Sequence, residues 1–180
     1  MAWGVAATLK TVVHEIGHCV AAWAAGADRA WVVSVVPFAG RAAWRWPDPP
    51  TLGQRMQACG GGMALCRGLA ELTGRWHGVV AEKLQWLLRL DPFLYVLRSL
   101  AGQLGILPRL AGDDVAHIVG LLADAALAGR AYPPEELARR KRVLEDTFYG
   151  GALLVISVDL LTAWAGGWGP FSELSWEVQF

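Results

Sequence analysis

Residues 6–25, AATLKTVVHEIGHCVAAWAA, decide how the rest of the chain is read. Leu9, Val13, Ile16, Val20 and Trp23 recur at intervals of three and four, the repeat of a helix with one apolar stripe, and Gly26 supplies a stop. Within this helix His14, Glu15 and His18 form an HExxH pattern. Positions four apart differ by only about 40° around a helix, so both imidazoles reach one metal ion. Glu15 stands beside them, placed to take a proton from an activated water and pass it to a leaving amine. Two neutral imidazoles, one oxygen ligand and an open position describe a catalytic zinc centre, so Zn2+ is the expected ion. The plainer alternative, polar side chains decorating a helix face, fits less well because the motif lies inside an amphipathic helix and not in a loop.

A third ligand must come from elsewhere. Asp113, Asp114 and His117 gather at the start of a strongly periodic helix, Asp114 to Leu127. An aspartate there makes an ordinary N-cap and suits the helix dipole, but capping needs only one. Asp113 fits that role, which leaves Asp114, in the first turn, to point at a metal. Asp91, His117 and Glu71 stay open as alternatives on these grounds.

Outward from the helix, Trp31 to Val36 is rich in β-branched residues and closed by Pro37, a strand signature; Arg41 to Trp46 pairs with it after a turn at Gly40. Along that strand Val33 and Val35 face away from Val32 and Val36, so one set packs inward while the other borders a substrate strand added to the edge. Pro47 to Pro50 reads as a loop. Beyond it the pattern is helical over Leu52 to Leu72, Val79 to Leu90, Phe93 to Leu104, Asp114 to Leu127 and Glu135 to about Trp164. Gly60, Gly61 and Gly62 fall inside the first of these helices, where glycines mean close backbone packing. The expected fold is mainly α (α+β), one domain over residues 1–180.

At 180 residues, with 54% hydrophobic and 18% charged side chains, the chain buries one core. Its sixteen basic and sixteen acidic residues cancel, so no global field draws it to nucleic acid, which is excluded as a partner. Cys19, Cys59 and Cys66 are an odd set without a CxxC pair, which fits a reducing, cytoplasmic setting. Cys19 points about 100° away from His18 and reads as a packed small residue; Cys59 and Cys66, on one helix face, read as core. A basic leader followed by an uninterrupted apolar stretch is missing, so no signal peptide is expected. Gly151 to Trp168 is the best membrane-spanning candidate and follows the basic run Arg139 to Arg142, but Asp159 at its middle costs about 3 kcal/mol on insertion. Membrane association is therefore not favoured, and a buried final helix is expected.

The order of motifs resembles the peptidase domain of the FtsH-type proteases, peptidase family M41. It runs from His14-Glu15-Ile16-Gly17-His18 through Val32-Val33-Ser34-Val35-Val36-Pro37 and Gly61-Gly62-Met63-Ala64 to Gly112-Asp113-Asp114, over roughly residues 5–128. The resemblance implies a zincin-like helical domain with a two- to three-stranded β element beside the HExxH helix. It makes His14, His18 and Asp114 the zinc ligands and Glu15 the catalytic base, and moves His117 to the surroundings of the ligands. Three departures bear on function. The chain has no P-loop, so the implied peptide hydrolysis is independent of ATP. Leu65, Cys66 and Arg67 stand where the family commonly has acidic residues. Arg75 to Arg109 is an apolar helical insertion onto which no family motif maps.

The function expected is that of a zinc metallopeptidase acting on peptides or unfolded proteins. One alternative is a site-2-type intramembrane zinc protease with Asp91 of Leu90-Asp91-Pro92 as its later ligand, which Lys10 in the first helix and the lack of long apolar spans disfavour. Another is a non-hydrolytic adaptor on the same scaffold, which the retained Glu15 disfavours, since zinc binding alone needs no base.

Overall fold

The computed structural model describes residues 1–72, 77–108 and 112–165. Seven elements follow in order: α1 (Ala2–Ala24), β1 (Arg29–Val36), β2 (Ala39–Arg45), α2 (Leu52–Leu72), α3 (Val79–Gln103), α4 (Asp114–Leu127) and α5 (Pro134–Ala165). The chain is mainly helical with a single two-stranded antiparallel sheet among the described residues. Helix α1 is central and packs on α2, α3 and both strands.

Local chemistry sets several boundaries. Thr51 and Gln54 form a capping box at the start of α2: Thr51 N–H donates to Gln54 Oε1 at 2.8 Å and Gln54 N–H to Thr51 Oγ1 at 3.3 Å. The Gln54 amide also donates to the Ala25 carbonyl at 2.7 Å, tying α2 to the end of α1. Asp113 caps α4 by accepting from Ala116 N–H at 3.0 Å, which leaves Asp114 in the first turn.

Three sequence expectations fail here, each for a physical reason. The turn between the strands sits at Pro37-Phe38, with Phe38 at φ 63°, and Gly40 lies within β2. A bulge between Val32 and Ser34 breaks the alternation of β1, so Val32, Val33 and Val36 are all exposed and no inward valine set forms. Helix α3 runs unbroken through Pro92, where two helices were expected. Interior proline costs about 3 kcal/mol. Packing on both sides offsets it: Leu84, Leu87 and Leu88 dock with Ala6, Ala7, Cys66 and Ala70, while Val96 docks with Val115, Val119 and Tyr149. Each large side chain so buried contributes roughly 1.5–3 kcal/mol.

The buried face of α1 also differs from the expected stripe. Ala6, Ala7, Gly17, Cys19 and Ala22 are buried with the motif residues, while Leu9, Ile16, Val20 and Trp23 are exposed. Small residues let neighbouring backbones approach α1 closely enough to enclose its histidines. The tightest approach is at Gly17, where an added Cβ would stand 2.4 Å from the Gly61 carbonyl oxygen. Gly17→Ala is expected to destabilise the protein by about 1–3 kcal/mol, the usual cost of overpacking, as a lower midpoint in thermal unfolding. An unchanged midpoint would refute that crossing.

The final helix is not buried. Its middle packs through Phe148, Tyr149, Ala152, Leu153 and Ile156, but Leu154, Val155, Val158, Leu161 and Trp164 are exposed. The expected insertion is represented by α3, whose flanking ends at Arg75 and Arg109 lie outside the described residues.

Candidate metal centre

His14 and His18 lie one turn apart on the buried face of α1, their rings edge to face with centroids 4.8 Å apart. Asp114 enters from the first turn of α4, its Oδ2 3.1 Å from His18 Nε2 and 3.9 Å from His14 Nε2. The ligand atoms of the three residues fall within 4.8 Å of one another. Glu71 sits apart, bound by Arg67 and Arg89, and His117 is exposed on α4.

Each imidazole is held by its far nitrogen. His18 Nδ1 donates to the Ala58 carbonyl at 2.8 Å, and His14 Nδ1 to Asp91 Oδ2 at 2.7 Å. Both Nε2 atoms thereby face inward toward Asp114, where neutral rings would offer their lone pairs to a metal. His14 Nε2 is buried and has no hydrogen-bond partner among the described residues. An orphaned buried acceptor is expensive, and a cation is the natural partner for one that faces a second imidazole and a carboxylate. Gly62 on α2 makes the space: a Cβ there would lie 2.6 Å from His18 Nε2 and 2.7 Å from His14 Nε2. Two nitrogens and one oxygen beneath a glycine fit zinc by donor chemistry and by room.

Asp91 stands on the opposite side of the His14 ring from Asp114. It is buried on α3, faces Nδ1 of His14 and pairs with Lys10, one turn before His14 on α1. Burial acts to raise its pKa, but His14 and Lys10 outweigh this and hold it ionised below the usual carboxylate range. Cys66 Sγ is 4.0 Å from the same Nδ1. His14, Cys66 and Asp91 thus form a second compact group of possible ligand atoms, in which Asp91 already pairs with His14 and Lys10. Asp91→Asn is expected to weaken zinc binding by roughly 10–100-fold, the usual effect of losing such a partner, measured by competition with a chromogenic chelator. Unchanged affinity would remove the orienting role.

The electrostatics favour positive charge. Burial acts to lower the pKa of His14, yet the carboxylates of Asp114 and Asp91 overcome it and raise it to about 11. His18 is likewise raised against its burial by Asp114. Asp114, despite burial, is held down to about 2 by the two histidines.

Glu15 opens into a cleft of about 420 Å³ lined also by His18, Tyr95, Asp114 and, from β2, by Gly40 and Trp44. A Cβ on Gly40 would stand 2.5 Å from Glu15 Oε1, so this glycine serves the carboxylate and not a turn. Burial raises the pKa of Glu15 above its ordinary value. The strand bordering the cleft is β2, where the sequence pointed to the edge of β1. Aromatic rings close the walls: Tyr95 stacks on His14 with centroids 5.0 Å apart and donates to Asp114 Oδ2 at 3.3 Å, and Trp44 stacks on His18 at 6.0 Å.

No protein family, curated protein or solved structure matches this chain.

Proposed function

We propose that this protein is an ATP-independent zinc metallopeptidase that hydrolyses peptide bonds in peptides or unfolded proteins. The observation that carries the reading is that the Nε2 atoms of His14 and His18 converge with Asp114 beneath Gly62, while Glu15 opens onto the same cleft. Bound zinc supplies Lewis acidity, polarising a carbonyl and lowering the pKa of water toward ~7. His14, His18 and Asp114 hold the ion. Glu15 accepts a proton from the attacking water and returns it to the departing amine, the work of a general base and then acid. Its burial and its seat against Gly40 fix the carboxylate in place for both transfers. Within the described sheet β2 pairs only with β1, so a substrate strand can add along Gly40 to Trp44 and lay its peptide bond across the cleft.

The resemblance to FtsH-type peptidases points the same way, and the site-2 alternative is weakened by the place of Asp91 on Nδ1 of His14. The test is hydrolysis of casein and of fluorogenic unfolded peptides, without nucleotide, by zinc-loaded protein and by Glu15→Gln. Activity in the first and not in the second supports the proposal; equal activity in both, or none in either, overturns it.

A further inference from the structure

The largest feature the catalytic reading leaves unused is the C-terminal half of α5. The whole helix, Pro134–Ala165, is long and apolar enough to cross a membrane, and only 6% of its most apolar 18-residue window is buried. At about 100° per residue, Leu154, Val155, Val158, Leu161 and Trp164 share one side of the helix, opposite the side on which Tyr149, Ala152 and Ile156 meet the body. Leu154, Val155 and Leu161 are more than 60% exposed. An uncovered stripe of this kind marks a contact surface.

Two observations identify the occupant. Toward its N-terminus the same side of α5 passes through exposed Val143 and reaches Arg139 and Arg140, which with Arg130 of the preceding turn line a groove of about 420 Å³ beside α4. Arg140 holds Glu136 and Lys141 holds Asp124, while Arg130 and Arg139 stay exposed. A groove lined by three arginines and no acidic residue, followed by an apolar face, fits anionic headgroups above acyl chains. The second observation concerns Asp159, whose charge argued against a membrane in the sequence. Its carboxylate is held by Arg67 of α2, with both contacts at 2.8 Å, on the flank of α5 turned toward the body. The apolar side therefore carries no acidic residue between Leu154 and Trp164.

We infer that α5 docks this protein on an anionic lipid bilayer, its apolar side inserted among the acyl chains and the arginine groove set against the headgroups. The five side chains span about 15 Å of helix, half the depth of a hydrocarbon core of about 30 Å. The inference stands on surface chemistry and is independent of the peptidase reading.

The experiment is flotation of the full chain with vesicles of phosphatidylcholine alone and of phosphatidylcholine with phosphatidylglycerol. Expected is capture by the anionic vesicles, reduced about tenfold or more by Val158→Glu with Leu161→Glu. Arg130→Glu with Arg139→Glu should weaken capture by about fivefold or more per residue, as should added salt. All four positions are exposed, and circular dichroism checks that the helices persist. Failure to float with either vesicle overturns the inference, as does capture that both double variants leave unchanged. Concentration-dependent self-association abolished by Val158→Glu with Leu161→Glu, without vesicle binding, also overturns it and assigns the face to a second copy of the chain.

Discussion

Glu15→Gln is expected to lower kcat/KM for peptide hydrolysis by about 10²–10⁴-fold, the range that a positioned general base contributes. Glutamine keeps the shape of the side chain and so preserves the contact with Gly40, where there is no room for anything larger. It cannot take up a proton at this position. The ligands His14, His18 and Asp114 are untouched, so zinc content measured by elemental analysis should stay at the wild-type level. That pairing of retained metal with lost turnover separates a base from a ligand. Loss of zinc along with activity would place Glu15 in the metal's support. Full activity would show that another group moves the proton.

Much of this arrangement was legible in the chain before its fold was known, and the limits of that legibility are instructive. The HExxH helix, the α2 and α4 boundaries and the capping role of Asp113 follow from periodicity and local hydrogen bonding, which depend on near neighbours. The placing of Asp114 beside the histidines needed the resemblance, because nothing local distinguishes it from any acidic residue in a first turn. From the sequence Asp91 stays open as a ligand, and the proline after it reads as a helix end that the structure does not have. Its role depends on a contact 77 residues away in sequence. One signal was available: Lys10 is four residues before His14, on the same helix face, and a lysine on a face that must be buried demands a carboxylate from elsewhere.

Apolar periodicity misled in two places for one reason. It shows that a helix has two sides, but not which of them meets the protein. On α1 the large apolar residues face outward because the inward side is given to small residues and to the site. On α5 the outward side is apolar from Leu154 onward, and the inward side carries Asp159 to its partner Arg67. A charge that counted against a membrane when read alone becomes neutral toward one when its partner is known.

Gly62→Ala tests the geometry of the centre more sharply than removing a ligand would, because it deletes no donor. A methyl carbon at this position would stand 2.6 Å from His18 Nε2 and 2.7 Å from both Cδ2 and Nε2 of His14, well inside an ordinary contact of about 3.5 Å. The rings cannot simply swing aside, since each is fixed through Nδ1, one to Asp91 and the other to the Ala58 carbonyl. Nor can the backbone of α2 retreat without opening the close packing of the adjacent Gly61 on Gly17 and Ala21. Either hydrogen bonds to the rings break or the two helices part, at an overpacking cost of about 1–3 kcal/mol. Zinc affinity should fall by more than about 100-fold, beyond the effect of a lost orienting carboxylate, with the helical dichroism retained. Gly60→Ala is the matched control. It lies two residues earlier on the same helix, with nothing within 4 Å of its added Cβ. Replacing a helical glycine there should stabilise the protein by up to about 1 kcal/mol and leave zinc binding alone. If Gly62→Ala binds zinc as tightly as Gly60→Ala does, the ion does not sit beneath α2 between the two Nε2 atoms, and the centre argued for here is wrong.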